Sequence, residues 1–165
     1  MEWQPRPVKE DKRELNVGGK KHFCAAVVYA QKERNSNMSD VKKILVIDDN
    51  QNMRNALKRM IQEKISKVDI METGDAQQAA AIAEMFVPDL ILLDVLMPGM
   101  NGLEVLKSIR KSSNDVLKSV PVFMLTSILN KEIILKSKQL GAVDYITKPF
   151  NENIFFTKLR KYLYF

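Results

Sequence analysis

The chain has 165 residues, 45% of them hydrophobic, enough for one packed domain and an extension but not for two full domains. A single cysteine, Cys24, excludes an intramolecular disulfide, and no apolar run approaches the roughly 18 residues of a membrane span, so a cytoplasmic protein without membrane contact is expected. The net charge of +6 raises nucleic acid as a partner, but it divides into +2 over residues 1–40 and +4 over residues 41–165 with both signs interspersed, so a solvated basic surface accounts for it and no direct nucleic-acid contact is expected.

Residues 1–40 are polar and irregular, punctuated by Pro5, Pro7, Gly18 and Gly19, with one short apolar run, FCAAVVYA, at 23–30. They read as an N-terminal extension holding one short strand or helix. The run is not a signal peptide: charges precede it and no convincing cleavage site follows. MSDVKKILVIDD, beginning at Met38, looks like a natural start. His22 and Cys24 have no companions that would make a site, and the nine methionines suit core filling.

From residue 41 onward, apolar runs alternate with helical patterns. KILVID (43–48) reads as a buried strand, followed by Met53, Leu57, Met60, Ile61 and Ile65 at helical spacing. VDIMET (68–73) is the second strand, and Asp75 is placed to cap a helix burying Ala79, Ile82, Ala83 and Phe86. DLILLD (89–94) is the third, and Leu103, Leu106 and Ile109 mark the helix after it. VPVFMLT (120–126) is the fourth, with Ile133, Ser137 and Leu140 on a helix stopped by Gly141. VDYIT (143–147) is the fifth, and Asn151 can cap a last helix carrying Phe155, Leu159, Tyr162 and Leu163. Five βα units with apolar strands imply a doubly wound parallel sheet over residues 41–165, helices on both faces.

In such sheets ligands bind beyond the carboxyl ends of the strands. Strand one ends in Asp48 and Asp49, strand three in Asp94, strand four in Thr126 and Ser127, and strand five is followed by Lys148 and Pro149. Singly, each has an ordinary explanation: a helix cap, a turn residue, a strand-end hydroxyl, a surface lysine. Together they make a site. Carboxylates in one cleft repel by about 4 kcal/mol per pair at 4 Å and an effective dielectric near 20, so protons or a cation must offset them. Oxygen ligands without His or Cys favour Mg²⁺. Lys148 adds positive charge, Thr126 a donor, and one acid is left as a nucleophile toward phosphorus. In DLILLDVLMPGMNG (89–102), the turn through Pro98, Gly99 and Gly102 suggests an Asp94 left accessible, the glycines taking backbone conformations other residues resist.

The motifs ILVIDDN, DLILLDVLMPGMNG, VFMLTS and GAVDYITKPF, in this order, resemble the receiver domain of two-component response regulators, over residues 42–165. The resemblance implies a flavodoxin-like (βα)5 sheet in strand order 2-1-3-4-5. It implies that Asp94 accepts a phosphoryl group from a histidine kinase or phosphotransfer protein. Asp49, Asp94 and the Leu96 backbone carbonyl would hold Mg²⁺ directly, and Asp48 through water. Thr126 and Lys148 would contact the phosphoryl oxygens, Tyr145 would be the switch aromatic, and the Lys148–Pro149 bond would be cis. Residues 96 and 128, here Leu96 and Ile128, would influence phosphate lifetime. The face of the fourth helix, fifth strand and fifth helix would report the state to a protein target, with a homodimer compatible with this reading.

No output domain is visible after the receiver pattern, so a stand-alone receiver is expected: a phosphoacceptor switch rather than an enzyme, catalysing only its own phosphorylation and dephosphorylation. The alternatives are a receiver-shaped binding module that works without phosphate and, less well supported, a haloacid-dehalogenase-like phosphatase. The latter needs Asp-x-Asp after strand one, where this chain has Asp48, Asp49 and then Asn50. No glycine-rich loop follows strand one to suggest dinucleotide binding.

Overall fold

A computed structural model describes residues 16–17, 20–21, 41–127 and 130–165. Within residues 1–40 it describes the antiparallel pairing of Asn16–Val17 with Lys20–Lys21. The apolar run at 23–30, His22, Cys24, Met38 and Ile128 lie outside the described residues. No helix among the described residues is long and apolar enough to cross a membrane.

The alternating apolar runs become the strands β1 (Lys42–Ile47), β2 (Val68–Thr73), β3 (Leu90–Asp94), β4 (Val122–Thr126) and β5 (Asp144–Thr147). They form one parallel sheet in the order β2-β1-β3-β4-β5, the order expected. β3 and β4 are buried along their whole length, which is why they read as unbroken apolar runs rather than as alternating strands. Successive residues still face opposite sides. Ile44, Val46, Leu90, Leu92, Phe123 and Leu125 join one apolar layer, and Leu45, Ile47, Ile91, Leu93, Val122 and Met124 the other.

The helices are divided between these layers. α1 (Gln51–Lys64) and α5 (Glu152–Leu159) cover the first, through Leu57, Ile61, Phe155 and Leu159. α2 (Ala79–Phe86), α3 (Gly102–Arg110) and α4 (Lys131–Gln139) lie on the second. Asparagine opens four of the five: the side chains of Asn50, Asn101, Asn130 and Asn151 accept from amides of the first turn. In α3, Glu104 also reaches back to the Asn101 amide, completing a capping box.

Two local readings need correction. Asp75 does not cap α2. Its carboxylate accepts from the Gln77 amide and the Gln78 side chain within the preceding turn, and the helix starts later, at Ala79. An Asx-type turn competes well with a cap when three residues separate the acid from the apolar stripe. A one-turn helix, Asp115–Ser119, capped by Asn114 and burying Leu117, was absent from the sequence reading because one buried residue gives no periodicity.

The glycines of the turn after β3 differ in purpose. Gly99 has a positive φ of 79° and no neighbour near its missing side chain. Gly102 is required for space instead: a Cβ there would stand 2.0 Å from the Asp94 carbonyl oxygen, and its amide donates to the Val95 carbonyl at 3.0 Å. The close approach seats the start of α3 against the end of β3. Gly102→Ala is expected to destabilise the domain by about 3 kcal/mol through overpacking against backbone, read as a lower midpoint in urea with an unchanged slope. A fully stable variant would mean the contact yields without cost.

Candidate functional site

Three strand ends deliver the charged groups. β1 runs into Asp48 and Asp49, β3 ends on Asp94, and β5 leads into Lys148. One carboxylate oxygen from each of Asp48, Asp49 and Asp94 lies within 4.8 Å of the others. The Lys148 ammonium sits among them, with Nζ 2.6 Å from Asp48 Oδ2 and 3.0 Å from Asp94 Oδ2. Asp48 is fully buried and the Lys148 side chain is 13% exposed, so these ion pairs are shielded from water and are far from ordinary surface pairs.

The remaining acceptor sites are tied down by backbone. The Asn50 amide donates to Asp48 Oδ1 at 2.9 Å, and the Leu96 amide to Asp94 Oδ1 at 3.3 Å. The Lys148–Pro149 bond is cis, and the Lys148 amide donates to the Thr126 carbonyl at 2.8 Å. Thr126, itself buried, lies one position past Leu125, the residue that pairs with Asp94 across the sheet. Leu96 is 46% exposed at the rim. Tyr145 is half-buried on β5, opposite Met124, with the Lys158 ammonium 4.8 Å from its ring centroid. The structure therefore gathers Asp48, Asp49, Asp94 and Lys148 directly, attaches Leu96 through its amide, and sets Thr126 beside them. Tyr145 stands earlier on the same strand that supplies Lys148.

Asp94 is less accessible than the turn after it suggested: only 5% of the residue is exposed. Lys148 is bonded to one carboxylate oxygen and the Leu96 amide to the other. Burial raises the Asp94 carboxyl above its ordinary value of 3.8; the hydrogen bond and the charge of Lys148 oppose this, Asp48 adds to the rise, and the Leu96 amide lowers it. The donor set is entirely hard oxygen, with no His or Cys among the clustered residues, and its excess negative charge fits Mg²⁺ better than a softer ion.

Sequence reading missed Arg54, which is buried under the β1–α1 turn with Nη1 2.7 Å from the Asp48 carbonyl oxygen. Its signal was available: Arg54 falls on the stripe of α1 that also buries Leu57 and Ile61, where a charged residue is out of place.

The family model for the response regulator receiver domain matches residues 44–160. The chain belongs to the response regulator receiver family. The receiver is 34% identical over 124 residues to the probable transcriptional regulator ycf27 of Porphyridium aerugineum, an alignment covering 74% of this chain and 48% of that protein. It is 32% identical over 111 residues to the chemotaxis protein CheY of Halobacterium salinarum, covering 67% of this chain and 88% of CheY. Among solved structures, Vibrio cholerae CheY4 superposes with a TM-score of 0.68 at 30% identity, covering 75% of this chain and all of CheY4. The chain spans about half the length of the curated transcriptional regulators it matches. Family membership takes the place of the phosphatase alternative: this is a receiver of two-component signalling.

Because the folded receiver holds the Asp94 proton more tightly than the unfolded chain does, the associated stability is present below the ordinary carboxylate range and is lost as pH rises through the raised pKa. Ionisation of Asp94 thus opposes folding of the metal-free receiver. Asp94→Asn should raise its melting temperature at pH 7. The gain should shrink as pH falls toward 3.8 and below. Thermal melts of both proteins across that range check this; a variant less stable than the parent at pH 7 would reverse the sign.

Proposed function

We propose that Asp94 is the phosphoacceptor of this receiver, taking a phosphoryl group from a histidine kinase or a phosphotransfer protein, and that the phosphorylated form binds a protein target. The observation that carries this is the convergence of Asp48, Asp49, Asp94 and Lys148 from three strands into one cluster. A carboxylate oxygen of Asp94 attacks phosphorus in line. The new O–P bond forms as the P–N bond to the donor imidazole breaks, and the imidazole leaves with that electron pair and takes a proton.

Each residue has a part in the step. Lys148 favours the ionised form of Asp94 against the effect of burial and can follow the negative charge onto the phosphoryl oxygens. Thr126, one residue past the pairing partner of Asp94, would supply a hydroxyl at the neighbouring strand end. Asp49 and Asp94, with the Leu96 carbonyl, would hold Mg²⁺, with Asp48 behind them. Bound there, Mg²⁺ would neutralise the acids and screen the incoming phosphate.

The route to the surface runs along β5. Tyr145 lies three residues before Lys148, and the Lys158 ammonium on α5 donates to its carbonyl at 2.7 Å and to Asp144 at 2.8 Å. A groove of about 90 Å³ between β5 and α5, lined by Tyr145, Thr147, Pro149, Ile154 and Lys158, opens beside this cluster. Thr126 drawn to the phosphate and Tyr145 turning inward would alter this face, which together with α4 is the proposed contact for the target. The same face could serve a separate protein target or an attached unit: the receiver matches CheY over 88% of its length and the transcriptional regulator CpxR over 50% of its length. A cytoplasmic setting and a phosphate-driven homodimer are compatible with either.

The decisive measurement is intact-protein mass after incubation with Mg²⁺ and a small phosphodonor such as phosphoramidate. The parent should gain one base-labile, hydroxylamine-sensitive phosphate and Asp94→Asn none. Equal labelling of both would overturn the assignment. A parent that takes up neither phosphate nor Mg²⁺ would leave a receiver-shaped binding module. Thr126→Ala should keep most of the labelling while losing most of the phosphate-dependent gain in target capture, read by a pull-down with and without beryllofluoride. Equal loss of both would remove Thr126 from the switch.

A further inference from the structure

We propose that Arg54 is a positioning residue for the Asp48–Asp49 pair, setting the cation affinity of the site from beneath the β1–α1 turn, with Gly74 providing the space it occupies; this rests on the reading of the acid cluster as a Mg²⁺ site. Arg54 is only 9% exposed, on the helix face that packs Leu57 and Ile61. A guanidinium is seldom placed there without partners. Its partners are unusual, for among the described residues none is a carboxylate. Nη1 donates to the Asp48 carbonyl at 2.7 Å and lies 3.3 Å from the Asp49 carbonyl, and Nη2 donates to Gln51 Oε1. Nε has no hydrogen-bond partner among the described residues. The charge is therefore directed at the backbone of the two acids rather than at their side chains.

That backbone is what Asp49 depends on. Asp48 has other anchors: its amide donates to the Thr73 carbonyl at 3.1 Å, and its carboxylate is held by the Asn50 amide and Lys148. The Asp49 carboxylate is exposed and makes no hydrogen bond or ion pair among the described residues. Its place in the cluster follows from the peptide planes on either side of it, and Arg54 holds the carbonyls of both. Without the clamp, Asp49 would sample positions away from Asp94, and a cation would have to restore order on binding. The clamp also needs its room. A Cβ on Gly74, at the end of β2, would stand 2.8 Å from Arg54 Nη1 and 3.5 Å from the Asp48 carbonyl. A methyl there pushes the flexible end of Arg54 away and leaves the rest of the fold in contact.

The test titrates Mg²⁺ into the metal-free full chain, by calorimetry or by amide shifts of Asp48 and Asp49, for the parent, Arg54→Met, Arg54→Lys and Gly74→Ala. Removal of an outer partner of a metal ligand typically weakens binding by 10–100-fold; about tenfold is expected for Arg54→Met and Gly74→Ala. The Mg²⁺ concentration for half-maximal labelling by phosphoramidate should rise by a similar factor, with a smaller change in the rate at saturating Mg²⁺. Arg54→Lys keeps the charge but lacks the fork, and should remain weakened. Full recovery by Lys would show that charge alone matters and overturn the positioning role. Unchanged Mg²⁺ affinity in Gly74→Ala and Arg54→Met, whatever their stability, would overturn it as well. If Arg54→Met fails to fold, Gly74→Ala decides. A parent that binds no Mg²⁺ would instead bring down the functional reading itself.

Discussion

Lys148 is bonded at once to Asp48 and to Asp94, and everything else about the site depends on that arrangement. Two buried acids beside a third repel one another, by about 4 kcal/mol per pair at 4 Å in a medium of effective dielectric 20. One ammonium offsets part of this and leaves the cluster with excess negative charge. Burial raises the proton affinity of Asp94 in the same place. The site is thus held in a condition that a divalent cation would improve, and folding has to supply the restraint in the meantime.

The restraint comes from the middle of the sheet. β1 and β3 are adjacent, in register from Ile44 opposite Leu90 to Ile47 opposite Leu93, and their buried residues fill both apolar layers. A strand packed on both faces and paired on both edges cannot shift to separate its terminal acid from a neighbour. β2, at the sheet edge, is only half-buried. The three acids therefore sit at the ends of the strands that are packed on both faces and paired on both edges. Gly102, on the far side of Asp94, brings α3 against the same strand end and continues this rigidity into the turn.

β5 is different. It lies at the opposite edge, short, and carries at one end the lysine of the site and three residues earlier a half-buried tyrosine. Lys158 joins this strand to α5 through Asp144, the Tyr145 carbonyl and the Tyr145 ring. A change in the load on Lys148 is carried by an edge strand with fewer packed neighbours than β1 or β3. That contrast gives a physical basis for the functional reading: a firm receptor for charge in the centre of the sheet and a more yielding element beside it that meets the surface.

Local sequence was enough for the strands and the principal helices, because apolar runs such as ILVI and LILL have to be buried and because Asn151 and Gly141 mark helix ends. It was also enough to list Asp48, Asp49, Asp94 and Lys148, since a polar residue closing a buried strand of a parallel sheet must lie at its carboxyl edge. What local pattern could not supply was anything decided by approach in three dimensions. Gly102 was read as a backbone conformer and proved to be a matter of clearance; Asp94 was read as open and is nearly covered; Arg54 was passed over. Lys148 and Asp48 are 100 positions apart along the chain and bonded at 2.6 Å. Periodicity reports which way a residue faces within its own element, whereas the distance between two elements is set by how the layers pack, and only the folded sheet determines it.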